Sequence, residues 1–328
     1  MKETITNKTL MEINDIVGRT KTHPEYSHAV GNSFINSLRE EADKHSVSIE
    51  MNGEVDNHKL RDKMRTASLK NLDEARRFLH TNGLNLNTFA SLGKIIEPKK
   101  HPLGTFRDCE VDFGGFHAHP SNTLYERMDN LVYTLQNDVS NHPVVRASAA
   151  HLGTVENHPY MDGNGRAARL IQNYILEASG LPPAVINYSE ASLYRGIIGL
   201  ALRDRYNQDS DSFRPSSAEK TFYEFIATKV LASAKSLEAE LKSKRAYEIH
   251  LSGVKNVDLS ISIVRALSGA LTKFNRDNIH IGYGVDCSKR TKNPCLVVRG
   301  NIGMECVKSA LEKITERYGL KYSITPKY

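Results

Sequence analysis

The chain has no run of about eighteen apolar residues, so nothing in it reads as a membrane-crossing helix. Its opening stretch, MKETITNKTLMEIND, is polar and has no apolar centre, which predicts no secretory leader. Cysteine is scarce: Cys109, Cys287, Cys295 and Cys306 show no CxxC spacing. They are expected to be reduced thiols in a cytoplasmic protein, with delivery into another cell left open. A zinc site among the last three is not expected, because no histidine stands at ligand spacing from them. Hydrophobic residues make up a modest 39% of the chain. A chain of 328 residues still buries a core at that content, and its length suggests two domains.

Charge is unevenly placed. From Arg245 onward there are fourteen Lys and Arg against seven Asp and Glu, whereas the whole chain carries only +6. The basic character therefore belongs to the C-terminal quarter. It is read as a solvated face or a surface for a protein partner, with nucleic acid as the competing reading.

The densest chemistry lies in HPYMDGNGRAAR, His158 to Arg169. Gly163 and Gly165 allow positive φ and leave no side chain in the way, so that N–H groups around Asn164 can line an anion-binding concavity. The run after it, Leu170, Ile171, Tyr174 and Ile175, has helical spacing and stops at Gly180 before two prolines. The concavity thus opens at a helix N-terminus, where orphan N–H groups and the dipole favour phosphate. Arg166 and Arg169 share a helical face and are expected to hold anionic oxygens. Asp162 offers a hard oxygen for Mg²⁺ shared with those phosphates. His158 is the one group there whose ordinary pKa suits a general base near neutral pH.

At these residues the chain resembles the Fic family of protein adenylyltransferases, whose motif reads H-x-F-x-D/E-G-N-G-R-x-x-R. Tyr160 stands at the Phe position, keeping the aromatic ring. Both glycines are retained, which favours nucleotidyl transfer over the kinase and phosphocholine-transferase chemistries of similar proteins. The resemblance implies ATP as substrate, Mg²⁺ as cofactor, His158 as catalytic base, Gly163, Asn164, Gly165, Arg166 and Arg169 on the nucleotide, and Asp162 on the metal. It also implies a target protein with an exposed Tyr, Ser or Thr hydroxyl.

Upstream, Phe34, Leu38 and Ala42 recur every four residues, and Ser46 and Glu50 continue the step, so all five fall on one helical face. Many members of the family carry an inhibitory helix with the pattern S/T-x-x-x-E-G/N. Ser46 and Glu50 match it and Met51 departs from it, with Gly53 a plausible stop. The resemblance makes residues 30–52 such a helix, with Glu50 in a bidentate pair with Arg169 that keeps ATP out of line for transfer.

Between the two motifs, residues 54–100 read as one or two charged helices, ending in the turn-rich EPKKHPLG. Then TFRDCEVDFGGFHAHPSN alternates through Cys109, Val111 and Phe113 and turns at Gly114-Gly115, predicting a β-hairpin. It resembles the family's flap, with Val111, Phe113, Gly114 and Gly115 docking an extended target segment. Arg107 occupies a position familiar from the family. His117 and His119 are not read as a metal pair, since no third ligand is near them in sequence. His151, one heptad before His158, is expected to be a core or supporting histidine. Helices are expected over 8–20, 124–136, from Pro143 to the catalytic loop, 188–206 and 218–243.

After Lys244 the pattern changes to strand, helix, two strands, helix and strand, the ferredoxin-like order. The fold expected is mainly α, a helical bundle of the Fic type with a β-hairpin flap, plus a small C-terminal α+β domain. The domains are 1–100, N-terminal helices with the inhibitory segment; 101–243, the catalytic core; and 244–328, an accessory domain. Two other functions stay open. One is the reverse reaction, with Glu50 positioning water to remove AMP. The other is a self-modifying regulator, acting through nucleic-acid or partner binding by residues 244–328. A homo-oligomer stays open as a partner.

Overall fold

A computed structural model of the protein describes residues 7–22, 28–51, 58–138, 140–207, 215–243, 245–252, 257–272, 280–285, 294–300 and 304–327. The chain divides into two compact units, residues 1–17 with 32–235, and residues 18–31 with 236–328. Among the described residues no helix is long and apolar enough to cross a membrane.

The first unit is built from most of helices α1 (Asn7–Thr22) and α2 (His28–Glu50), from α3 (His58–Asn82), α4 (Leu86–Ile96), α5 (Leu124–Asn137), α6 (Pro143–Asn157), α7 (Asn164–Ala178) and α8 (Ala191–Asn207), and from most of α9 (Ser217–Ser243). Among its described residues the strands are those of one hairpin, β1 (Asp112–Phe113) and β2 (Phe116–His117).

Its centre is the α6–loop–α7 hairpin. In α7 nearly every position from Asn164 to Gln172 is buried, and in α6 Val144, Ala147, Ser148, Ala150, His151, Leu152 and Thr154 are buried. A helix buried all round must be enclosed by others. Leu72, Ala75 and Leu79 of α3, Phe89, Leu92 and Ile96 of α4, Leu124 and Met128 of α5, and Phe222, Ile226 and Val230 of α9 enclose this pair in one core.

Local chemistry sets the ends of these helices. Pro143 stands at the start of α6 and His142 accepts the Val144 N–H, while Asn85 caps α4 by accepting from Thr88 N at 2.9 Å. At the far end of α7, Gly180 takes φ 74° and Leu181 N donates back to Leu176 O at 2.9 Å, closing the last turn.

Helix α2 is fastened along its length. Val47 and Ile49 are fully buried in the core, Arg39 pairs with Glu177 at 2.6 Å, Asp43 pairs with Arg76, and Arg195 donates to Ile49 O. The expected four-residue stripe is therefore only part of its docking face. The helix ends at Glu50, and Met51 turns the chain with its N–H on Val47 O. The stop expected at Gly53 lies outside the described residues.

The second unit contains a four-stranded sheet of β3 (Arg245–Ser252), β4 (His280–Val285), β5 (Pro294–Gly300) and β6 (Lys321–Lys327), ordered β4-β5-β3-β6 and antiparallel at every pairing. With α10 (Val257–Thr272) after β3 and α11 (Met304–Tyr318) after β5, this is the ferredoxin-like arrangement. Tyr247, Ile249 and Leu251 of β3 alternate inward with Leu296 and Val298 of β5. They pack against Ile263, Leu267 and Leu271 of α10 and Val307, Leu311 and Ile314 of α11. The intervening residues, Glu248, His250, Cys295 and Val297, stand on the other face of the sheet and are not buried.

Candidate active site

The α6–α7 connection holds the site. His158 caps α6 in the left-handed conformation, φ 46° and ψ 58°, the only non-glycine among the described residues with positive φ. Such a backbone persists only when its surroundings over-determine it. Here His158 N donates to Thr154 O, and its carbonyl accepts Arg107 Nε at 2.8 Å.

The conformation turns the imidazole so that Nδ1 lies 3.3 Å from Val155 O, while the ring stacks on Phe113 at 3.8 Å between centroids. A carbonyl only accepts, so Nδ1 carries the proton and Nε2 keeps its lone pair. Burial, reinforced by the charge of Arg107, lowers the His158 pKa to about 4, although Asp162 and Glu50 are near enough to pull the other way. Burial thus moves the imidazole below the ordinary value named from the sequence, which leaves it unprotonated at neutral pH.

The loop itself is rigid by construction. Tyr160 is fully buried with its hydroxyl on Phe89 O, so the extra oxygen relative to Phe has a partner. Its ring fits only because α4 has Gly93 there; a Cβ at that position would lie 2.6 Å from Tyr160. Asn164 spends its side chain on the loop, accepting Tyr160 N at 2.9 Å and donating to Tyr160 O at 2.7 Å. Only its backbone N–H remains for an anion.

Gly163 takes φ 85° as the N-cap of α7. Gly165 does not share that conformation: it is helical, which corrects the expectation of two positive-φ glycines. What Gly165 contributes is empty space. A Cβ there would fall inside contact distance of Glu50 Oε1 and 3.3 Å from Arg169 Nη1. Glu50 therefore places its carboxylate against the N-terminal turn of α7, where unpaired N–H groups favour an anion.

Arg169 is buried and fully engaged. Nη2 donates to Glu50 Oε1 at 2.6 Å and to Ser46 O at 3.3 Å, Nε to Ser46 Oγ at 2.8 Å, and Nη1 to Tyr194 Oη at 3.1 Å. The pair with Glu50 is thus single-pronged, not bidentate, because Ser46 takes the second edge of the guanidinium. Burial works against the charged Glu50, but Arg169, with Arg166 and Arg195 behind it, holds its carboxyl below the usual range.

Behind Arg169, Tyr194 also meets His151 Nε2 at 2.8 Å, and His151 Nδ1 meets Gln172 at 2.8 Å. Burial and the Arg169 charge lower the His151 pKa to about 3, which keeps it neutral and suits it to a supporting place in the core.

Arg166 is buried and held by Glu97, by Asp162 at 3.3 Å and by Ser68 Oγ at 3.1 Å. Its role as a free phosphate ligand is thereby narrowed: its charge lies beneath the loop, already paired. Its Nε is buried without a partner among the described residues. Asp162 keeps about half of its side chain exposed and accepts the Gly163 N–H at 2.5 Å. Glu97, Ser68 and Tyr194 were missed from the sequence. Each comes from an element remote from the motif, and none carries a local signal.

The hairpin lies over His158. Asp112 pairs with His117 and Phe113 with Phe116, Gly114 and Gly115 turn the chain with φ 54° and 83°, and Val111 O accepts Ala118 N at 3.1 Å. Arg107 staples it to the catalytic loop: beyond His158 O, it donates to Cys109 O at 2.6 Å and His119 O at 2.5 Å. His117 contacts Asp112, whereas His119 lies 3.5 Å from Glu156 and stacks on Tyr206, so the two histidines serve different partners.

A family model described as Fic/DOC family matches residues 83–176, the stretch from the end of α3 through α7. Over that stretch the chain is similar to the Fic/DOC family. Protein adenylyltransferase Fic from Culex quinquefasciatus is 31% identical over 142 residues, which is 40% of this chain and 28% of that protein. The chain thus spans little more than a quarter of the length of that curated relative.

Among solved structures, a Fic domain-containing signalling protein from Bacteroides thetaiotaomicron superposes with a TM-score of 0.59 at 18% identity, covering 70% of this chain and 98% of that one. Fic-1 from C. elegans gives 0.58 at 21% identity, covering 72% of each chain. These two likenesses are of fold. The Fic match contains the whole loop from His158 to Arg169, while α2, with Ser46 and Glu50, lies upstream of it.

Proposed function

We propose that this protein transfers AMP from ATP to a hydroxyl side chain of a target protein, and that Glu50 holds the reaction in check. The observation that carries the reading is the convergence of an oriented, unprotonated imidazole with an anion-favouring helix end whose arginine is occupied by a carboxylate.

In this mechanism the triphosphate lies along the N-terminal turn of α7, over Gly163 and Gly165. Asp162, half exposed beside that turn and offering a hard oxygen, would hold Mg²⁺, which would supply charge neutralisation at the phosphates. Arg169, once released by Glu50, holds the terminal phosphates. The β1–β2 hairpin lays an extended target segment alongside its edge, placing a Tyr, Ser or Thr hydroxyl near His158. Nε2 of His158 takes the hydroxyl proton as the oxygen attacks the α-phosphorus, and pyrophosphate leaves with its charge held by Arg169 and the helix end. Positioning and electrostatics supply most of the acceleration, with base catalysis adding roughly 10²–10⁴-fold.

On this reading residues 1–100 carry the brake, 101–243 the chemistry, and 244–328 an accessory domain. The restraint follows from charge: two anions compete for one guanidinium and one helix end. The test is incubation of the purified chain in a lysate with α-labelled ATP. Glu50→Gly is expected to raise label transfer strongly and His158→Ala to abolish it. An unchanged rate in Glu50→Gly, or full transfer by His158→Ala, overturns the proposal.

A further inference from the structure

The outward face of the C-terminal sheet carries a cluster that the transferase reading leaves unused. His250 of β3 stands opposite Cys295 of β5 in the antiparallel register, and Glu248 lies two residues along β3 on the same face. Cys295 Sγ is 3.2 Å from Glu248 Oε1, and His250 Nε2 is 3.2 Å from that same oxygen. The three ligand atoms all fall within 4.8 Å of one another. We propose that Glu248, His250 and Cys295 form a zinc site that clips β3 to β5.

The geometry and donor set both point to this ion. Tetrahedral zinc with Zn–S of about 2.3 Å and Zn–N or Zn–O of about 2.0–2.2 Å places its ligand atoms roughly 3.3–3.6 Å apart. Two of the three separations are already near that range, and the third lies within 4.8 Å. A thiolate with an imidazole is a poor home for Mg²⁺ or Ca²⁺ and a good one for zinc, with one carboxylate completing a three-ligand set and water a fourth position.

In the register, Gly284 of β4 stands opposite Cys295, and Gly282 opposite Val297. The expectation that no histidine stands at ligand spacing holds along the chain and fails across the sheet, where register does what local spacing does in a zinc ribbon.

Binding replaces the Cys295 S–H bond by S–Zn and releases one proton to solvent. Glu248 binds as carboxylate and His250 as neutral imidazole.

The full chain, stripped with chelator, is titrated with Co²⁺ and then Zn²⁺. One Co²⁺ per chain is expected, with tetrahedral d–d absorption and a thiolate-to-cobalt charge-transfer band, both displaced by Zn²⁺. Cys295→Ser is expected to lose the charge-transfer band. Cys295→Ser and His250→Gln should each weaken binding by about tenfold or more, while Cys306→Ser keeps both signals. Far-UV circular dichroism of His250→Gln, at an exposed position, checks that the loss is not unfolding. Absence of saturable one-to-one uptake, cobalt spectra without the thiolate band, or wild-type binding by both Cys295→Ser and His250→Gln overturns the site.

Discussion

Gly165 has no side chain at the point where Glu50 sets its carboxylate, and a Cβ there would fall inside contact distance of Oε1. The glycine of the motif and the glutamate of α2 are thus fitted to each other, although 115 positions separate them in the chain. Gly165→Ala is expected to push Glu50 off Arg169 and to cost stability, since a charge-assisted hydrogen bond to a buried guanidinium is lost. In a Glu50→Gly background the same substitution no longer meets the carboxylate and costs less. A double-mutant cycle by chemical denaturation should give a coupling of about 0.5–3 kcal/mol. Additive effects of the two changes would mean that the close approach carries no energy.

On the proposed function Ser46 shares the restraint. Its hydroxyl accepts Arg169 Nε and its carbonyl accepts Nη2. Ser46→Ala removes a hydrogen bond but no competing charge and leaves the carbonyl in place. Label transfer should therefore rise above wild type yet stay well below Glu50→Gly. The quantity to measure is the initial rate of AMP incorporation for the two variants side by side. Equal rates would show that the pattern acts through positioning of α2 and not through the carboxylate.

How much of this was legible beforehand depends on distance along the chain. His158 to Arg169 could be read because a loop and one helical turn place those groups together locally, whatever the rest of the chain does. The hairpin at Gly114-Gly115 and the alternation of Tyr247, Ile249 and Leu251 were legible for the same reason. Glu97 and Ser68 on Arg166, and Tyr194 on Arg169, were not, because packing brings them from other helices. The second edge of Arg169 went to Ser46 instead of to a bidentate Glu50, a division that only the docking angle of α2 decides. His250 and Cys295 were invisible as a pair because strand register is a property of the sheet.

The imidazole of His158 sets the pH dependence. Its pKa is lowered to about 4 by burial, so the base is already unprotonated at pH 7, and acidification to pH 6 should change its charge little. For Glu50→Gly, kcat/KM is expected to stay flat on the acid side down to roughly pH 5, well below the ordinary histidine value of about 6.5. The linkage sign agrees: the folded state binds fewer protons at His158 than the unfolded chain does between those two values. Its contribution to stability is therefore present above about 6.5 and is lost as pH falls through about 4. His151, lowered to about 3, adds to the same acid lability. The pH profile of the rate is to be compared with the pH dependence of Tm, so that loss of the base is separated from loss of the fold. An acid limb centred near 6.5 in a protein still folded would show that the imidazole is solvated.

Arg107 links the β1–β2 hairpin to the backbone of His158. Its guanidinium donates to His158 O, Cys109 O and His119 O, and its backbone N–H to Pro159 O at 2.9 Å. One planar fork thereby fixes the left-handed backbone of His158 and both ends of the hairpin. Lysine carries the same charge but cannot reach three carbonyls in one plane. Arg107→Lys in the Glu50→Gly background should therefore leave ATP affinity close to unchanged, raise KM for the protein target as the hairpin loosens, and lower kcat as the imidazole loses its orientation. Loss of a hydrogen bond to a charged group, about 1.5–3 kcal/mol, sets the scale at roughly 10–100-fold in kcat/KM for the protein target. Nucleotide binding by calorimetry, set beside steady-state transfer to a purified target, checks the split. A matching loss in ATP affinity would place Arg107 in the nucleotide site instead of behind the flap.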